Sequence, residues 1–279
     1  MNEDKKSAVL DHGSHREFYE YYAEQSASPE TRDRFLGVQR AVLRVLGSRG
    51  RDVALDVADI GCGAGAQCLL WAESGHRVHG LDVNQPLLKL ARERAERAGV
   101  VVDFHLGTAT ALPWASSSLD VVLLPELLEH VEEWRPCLSE AVRVLRPGGL
   151  LFVSTTNVLC PVQQEFTLPL YSWYPTWLKR WFVRLSRTTR PEFVRHAKYP
   201  AIHWFSFYSL RSELGRWRIK CLDRFDAMDL SGRSSAARCV VRLIRAVPPI
   251  RFMGHVLTPY TTVLGLKESG GNEVLDPSR

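Results

Sequence analysis

Nine residues, Val57-Ala58-Asp59-Ile60-Gly61-Cys62-Gly63-Ala64-Gly65, limit what this chain can fold into. An apolar run that reads as a strand ends in three glycines at alternate positions. Gln67-Cys68-Leu69-Leu70-Trp71-Ala72 follows as a helix. Glycine has no Cβ, so a turn built from it lets a backbone approach a ligand closely. In open α/β sheets, ligands bind at the carboxyl ends of strands, where this turn lies. About twenty residues on, Val78-His79-Gly80-Leu81 reads as a second strand, and Asp82 at its end is placed to accept ribose hydroxyls.

The alternation continues. The first strand and its turn are expected over 51–61 and further strands over 78–82, 100–106, 119–124 and 150–154, with helices over 66–74, 86–98 and 135–145 between them. Gly75 and Gly99 close two helices, and Arg146-Pro147-Gly148-Gly149 stops the third. Strand–helix alternation with short connections predicts an α/β, doubly wound parallel sheet. An earlier helix starts at Ser28-Pro29-Glu30 and carries Phe35, Val38, Val42 and Leu46 on one side.

Gly61, Gly63 and Ala66 also satisfy the dinucleotide pattern G-x-G-x-x-G/A. Asp59 discriminates between the ligand classes. A carboxylate two residues before the first glycine repels a pyrophosphate. S-adenosylmethionine carries no phosphate, and its ammonium and sulfonium both suit a carboxylate. Residues 58–65 resemble motif I of the class I S-adenosylmethionine-dependent methyltransferases. The resemblance implies a Rossmann-like, mainly parallel sheet of seven strands with an antiparallel last strand, here 261–266 beside 218–225. It implies cofactor contacts from Asp59, Gly61, Cys62, Gly63, Gly65, Asp82 and Val83, and from Pro125 at the end of the fourth strand. Thr108 and Ala109 fall in the loop that holds adenine in that family. Many members carry an acid at the Thr108 position, and threonine keeps an acceptor oxygen there.

After the fourth strand comes Pro125-Glu126-Leu127-Leu128-Glu129-His130-Val131. On a helical turn, spacing of i, i+3 and i+4 puts Glu126, Glu129 and His130 on one face. Two carboxylates and an imidazole there form a candidate divalent-cation site. Taken alone, the three residues also read as a solvated helix start. The E-x-x-E-H pattern, followed by Val153-Ser154-Thr155-Thr156-Asn157, resembles the ubiquinone-biosynthesis O-methyltransferases. Small-RNA 2′-O-methyltransferases share E-x-x-E-H. In both groups these side chains and a later histidine bind a divalent metal. His203, which opens His203-Trp204-Phe205-Ser206-Phe207-Tyr208, matches that histidine in spacing. The resemblance thus implies Glu126, Glu129, His130 and His203 as metal ligands, with Glu129, His130 and His203 catalytic.

Mg²⁺ suits the carboxylates, and the imidazoles also accept Zn²⁺ or Mn²⁺. A metal on an acceptor hydroxyl would lower its pKa and fix its position for in-line methyl transfer. A catechol or other vicinal diol would chelate the ion. A metal-free general base at His130 or His203 is the rival assignment.

Residues 158–202 form an aromatic and basic insert. On a helix from Thr176, the residues Trp177, Leu178, Trp181, Phe182 and Leu185 share an apolar face, with Lys179, Arg180, Arg184 and Arg187 mostly off it. Tryptophan and tyrosine flanked by arginine suit a membrane interface. Segment 168–187 is therefore expected either to dock on a membrane or to wall the acceptor pocket. The net charge is only +5 and no RNA module is recognisable, which argues against nucleic acid.

The 279 residues suffice for a single domain. Residues 1–30 read as an N-terminal segment with a lid helix at 15–25, and 268–279 as a polar tail. The start lacks an apolar signal core, and no apolar run of about 18 residues spans a membrane. Six cysteines without a CxxC pair read as reduced thiols of a cytoplasmic protein, and a membrane-docking segment would place it at the inner face of the membrane. The expected acceptor is apolar or lipid-linked: a quinone precursor, polyphenol or glycolipid sugar. Methylation of a secondary-metabolite sugar, RNA 2′-O-methylation and a non-catalytic cofactor-binding scaffold are the alternatives.

Overall fold

The computed structural model describes residues 26, 28–47, 53–163, 166–190, 193 and 201–268. The expected lid helix at 15–25 and the tail from 269 onward lie outside them. Two compact units make up the chain, 1–123 with 139–150, and 124–138 with 151–279.

The first unit opens with α1 (Pro29–Leu46), followed by β1 (Asp56–Ile60), α2 (Ala66–Glu73), β2 (Arg77–Asp82), α3 (Gln85–Ala98) and β3 (Val102–Leu106). The unit boundaries fall within β4 (Leu119–Pro125), α4 (Trp134–Val144) and β5 (Leu145–Thr156). Local chemistry sets the helix ends. Ser28 Oγ accepts from the Thr31 amide at 3.2 Å at the start of α1. Asn84 Oδ1 accepts from the Leu87 amide at 3.1 Å at the start of α3, and left-handed Gly99 ends that helix. In β1, Val57, Ala58 and Ile60 are buried, as is Trp71 of α2. Burial of each large apolar side chain contributes about 1.5–3 kcal/mol.

The second unit holds a 3₁₀ turn (Tyr171–Trp173), α5 (Thr176–Thr188), α6 (Phe207–Gly215), β6 (Ile219–Asp223), α7 (Ser235–Ala246), α8 (Pro248–Val256) and β7 (Tyr260–Lys267). Its core contains a charged cluster at the end of β6. Asp223 is fully buried and accepts from His255 Nε2 at 2.9 Å and Arg251 Nε at 2.7 Å. Phe207 stacks on the His255 ring at 5.2 Å.

The seven strands form one mixed sheet in the order β3-β2-β1-β4-β5-β7-β6. β1 runs parallel to β2 and β4, β2 runs parallel to β3, and β7 runs antiparallel to β6. This is the doubly wound, mainly parallel Rossmann-like sheet expected from the sequence. One detail differs. The Arg146–Gly149 stretch that ends α4 is already part of β5. Pro248-Pro249 starts α8 directly after α7, because proline's missing amide donor is harmless in a first helical turn.

Candidate functional site

The glycine turn of the first unit is tied to the end of β2 by its backbone. The amides of Gly61 and Cys62 both donate to Leu81 O, at 2.7 and 3.1 Å. Gly61, Gly63 and Gly65 all have positive φ, where a side chain would be strained. Asp82 completes the tie. Its Oδ2 accepts from the Gly63 amide and its Oδ1 from the Asn84 amide, each at 2.8 Å. Gly107 donates to Asp82 O at 3.0 Å, anchoring the loop of Thr108 and Ala109 to the same strand end. Val83 and Thr108 are exposed there, whereas Cys62 and Ala109 are buried. The structure thus gathers the predicted cofactor residues of this unit at one place.

Asp59 sits beneath the turn and is 1% exposed. Cys68 Sγ lies 3.5 Å from its Oδ2, and its Oδ1 has no hydrogen-bond partner. Burial pushes the Asp59 pKa up to about 7; the charge of Asp82 adds to the rise and the Cys68 thiol opposes it. Gln67, in the first turn of α2, is equally buried, and both ends of its amide lack a partner. Buried polar groups are nearly always satisfied, so these atoms call for a polar ligand or water. Sequence reading passed over Gln67. Its position in the turn was visible, but its burial was not.

In the second unit, β4 ends at Pro125, which is half-buried. The predicted helical face for Glu126, Glu129 and His130 is not formed. Residues 126–133 make turns instead, and the helix begins only at Trp134. Glu126 has φ +52°, left-handed backbone that cannot propagate a right-handed helix. The His130 amide closes a short turn on Leu127 O at 3.0 Å. Glu129 is 2% exposed and accepts from Thr155 Oγ1 at 2.8 Å, whereas His130 is exposed.

His203, distant in sequence, is brought to this turn. The amides of Ile202 and His203 donate to Glu129 O, at 2.8 and 3.2 Å. The His203 ring faces elsewhere, with Nε2 at 3.1 Å from Glu132 O. No three donor atoms of Glu126, Glu129, His130 and His203 fall within 4.8 Å of one another. The donor types suit a divalent cation and the backbone brings His203 beside Glu129, but the side chains are not gathered around one point. His203 also lines an open cleft of about 360 Å³ together with Trp134, Trp204 and Phe205.

In the insert, Trp177 and Trp181 of α5 are 69% and 53% exposed. Lys179 is not a solvated charge. Its Nζ donates to Ser172 O at 2.7 Å and lies 4.7 Å from the Trp204 ring centre, and burial lowers its pKa to about 8. Among the described residues, no helix is long and apolar enough to cross a membrane.

Residues 58–153 match the methyltransferase domain family. A ubiquinone biosynthesis O-methyltransferase from Sinorhizobium medicae is 41% identical over 103 residues, 37% of this chain and 42% of that protein. One from a Methylobacterium species is 34% identical over 163 residues, 53% of this chain and 64% of its own length. The chain spans about half the length of the curated relatives it matches. A solved S-adenosylmethionine-dependent methyltransferase from Mesorhizobium loti shares the fold, with a TM-score of 0.52 at 18% identity over 80% of this chain and 95% of that one.

Proposed function

With a methyltransferase domain at residues 58–153, we propose that this chain is an S-adenosylmethionine-dependent O-methyltransferase, assisted by a divalent metal. Its acceptor is a catechol or other vicinal diol on an apolar or lipid-linked molecule. The observation that carries the reading is Asp82, whose two oxygens hold the glycine turn at Gly63 and the start of α3 at Asn84. The turn is thereby set before any ligand arrives, and the remaining acceptor capacity of the carboxylate suits ribose hydroxyls. Asp59, with an unpartnered oxygen, and Gln67, with an unpartnered amide, suit the charged amino-acid end of the cofactor. S-adenosylmethionine supplies an electrophilic methyl group on a sulfonium.

Glu126, Glu129, His130 and His203 would hold the metal, which supplies Lewis acidity to an acceptor hydroxyl. Thr155 orients Glu129 by its hydrogen bond, and the backbone bonds to Glu129 O keep His203 beside the turn. Trp134, Trp204 and Phe205 give the cleft aromatic walls suited to a planar ring. A metal-free general base at His130 or His203 is the second reading, favoured by the ungathered donors. The exposed Trp177 and Trp181, with Arg180 and Arg184 exposed on the same helix, support contact with a membrane that carries the acceptor. The proposal includes a cytoplasmic location, because six cysteines without a CxxC pair suit a reducing compartment.

The test is transfer of labelled methyl groups to catechol-bearing acceptors, with and without EDTA. The metal reading expects EDTA to reduce the rate by at least about tenfold and added Mg²⁺, Mn²⁺ or Zn²⁺ to restore it. Unchanged transfer in EDTA would leave the general base, and cofactor binding without transfer to any acceptor would leave a scaffold. Trp177→Ala with Trp181→Ala should weaken co-sedimentation with anionic vesicles; equal binding by the double variant would remove the membrane contact.

A further inference from the structure

Three side chains of the first unit that the proposed reaction does not use come together on the outermost strand pair. β3 is an edge strand and pairs in parallel with β2, with His79 beside Asp103 and Leu81 beside His105. Asp103 and His105 are two residues apart, so they share one face of β3. Asp103 Oδ2 lies 3.4 Å from His79 Nδ1 and 2.8 Å from His105 Nε2. One donor atom from each residue falls within 4.8 Å of the other two. Among the described residues, this is the one such trio of histidine, cysteine, aspartate or glutamate. Trp114 flanks both imidazoles, with ring centres 5.7 Å from His79 and 5.5 Å from His105. The side chains of His79, His105 and Asp103 are 25%, 31% and 60% exposed, so an ion with its remaining waters has access.

We propose that His79, Asp103 and His105 bind a first-row transition-metal dication of the Zn²⁺ class. Ligand atoms about 2.1 Å from a tetrahedral ion stand about 3.4 Å from one another. The His79 contact at Asp103 already matches that spacing and the His105 contact is shorter than it, so small side-chain movements suffice. Two imidazole nitrogens with one carboxylate favour Zn²⁺, Ni²⁺ or Cu²⁺ over Mg²⁺ and Ca²⁺. Three protein ligands leave a position open to water. The packing of Trp114 against both rings limits their rotation, which favours a formed site over two independently moving histidines. The ion would tie the edge strand to its neighbour. β2 ends at Asp82 and β3 leads into residues 107–109, so the tie lies below two of the proposed cofactor contacts.

The experiment is a Zn²⁺ titration of chelator-treated full-length protein, in the parent and in a Glu129→Gln, His203→Gln double variant that disables the proposed catalytic metal set. One equivalent of Zn²⁺ should bind in the double variant, and millimolar Mg²⁺ should not displace it. Adding His105→Gln or Asp103→Asn should weaken that site by at least about tenfold. Zn²⁺ should raise the melting temperature only where the trio is intact. Asp103 is mostly exposed, so Asp103→Asn tests the ligand with little risk to folding, and parental affinity for S-adenosylmethionine in that variant checks the fold. Zinc binding that is absent, that disappears in the double variant, or that is indifferent to both trio substitutions would overturn the proposal.

Discussion

The β1–α2 and β4–α4 connections are both strand-to-helix turns that follow parallel strands, and they are built in opposite ways. The first uses glycines at positive φ and is laced by backbone bonds to Leu81 and by the Asp82 carboxylate. Glycine has no side chain, so the path of this turn is set by its backbone. The second places Glu126 at positive φ and is also held by backbone bonds, but the groups proposed to act there are side chains, and those of Glu126, Glu129, His130 and His203 are not drawn around one point. A turn that binds through backbone is preorganised before its ligand arrives. A turn that works through long side chains gains its geometry only when something gathers them. On the proposed reading, the glycine turn has its shape before a cofactor arrives, and the 126–133 turn would gather its side chains only around a ligand.

Substitutions can break or sharpen that contrast. The largest expected effect lies in the frame of the second unit rather than in its turn. Asp223→Asn leaves the Arg251 and His255 contacts without their buried anion and should cost about 3 kcal/mol, read by denaturant unfolding. Burial disfavours the Asp223 charge, but the bonds from His255 and Arg251 outweigh it and bring the pKa down from 3.8 to about 2. A lowered carboxyl pKa stabilises the fold above the unfolded value. That contribution should be present above pH 3.8 and fade as the pH falls toward about 2. The asparagine variant should lack this slope. A variant as stable as the parent would show that the second unit is not held by this cluster.

In the first unit, a Cβ at Gly65 would stand 2.9 Å from Ala91 Cβ, at φ +77°. Gly65→Ala should cost about 2 kcal/mol and impair cofactor binding. Gly63→Ala meets nothing within 4 Å and bears only the strain of its positive φ, so about 1 kcal/mol is expected. Equal melting temperatures for the two variants would deny that close packing shapes the turn.

The smallest effect is a proton. Burial raises the Asp59 pKa to about 7, so the carboxyl is mostly protonated at pH 6. A raised carboxyl pKa is without penalty below pH 3.8, and it costs stability progressively as the pH rises toward about 7. A cationic ligand favours the ionised form. Binding of S-adenosylmethionine at pH 6 should release up to about one proton and should tighten as the pH rises through 7. Calorimetry in buffers of different ionisation enthalpy measures this, and Asp59→Asn should abolish it. Proton uptake on binding would place the cation elsewhere.

What the sequence made legible follows from the same contrast. Alternate glycines after an apolar strand signal a backbone turn directly, and Asp82 falls at a fixed distance from them along the chain. The spacing in E-x-x-E-H suggested a helical face, but nothing in those letters reports the backbone reversal at Glu126. Spacing in a known family pairs His203 with Glu129 as a ligand; the structure brings the backbone of His203 to Glu129 O, and the direction of its ring, toward Glu132 O, depends on packing. His79, Asp103 and His105 belong to two strands, so their meeting emerges only once the register of β2 against β3 is fixed. Asp223 and His255 likewise lie 32 residues apart and are joined only by tertiary structure. Lys179 looked like a surface charge on a helix, and the carbonyl of Ser172 and the Trp204 ring turn it inward.

The proposed division of labour, with cofactor held by the β1–α2 turn and chemistry carried by the 126–133 turn, is tested most directly by calorimetric titration of S-adenosylmethionine into Asp82→Ala and Glu129→Gln. Asp82→Ala should bind about 100-fold more weakly than the parent, because two backbone amides lose their acceptor. Glu129→Gln should bind within about twofold of the parent while losing methyl transfer. A comparable loss of affinity in both variants, or parental affinity in Asp82→Ala, would contradict the account.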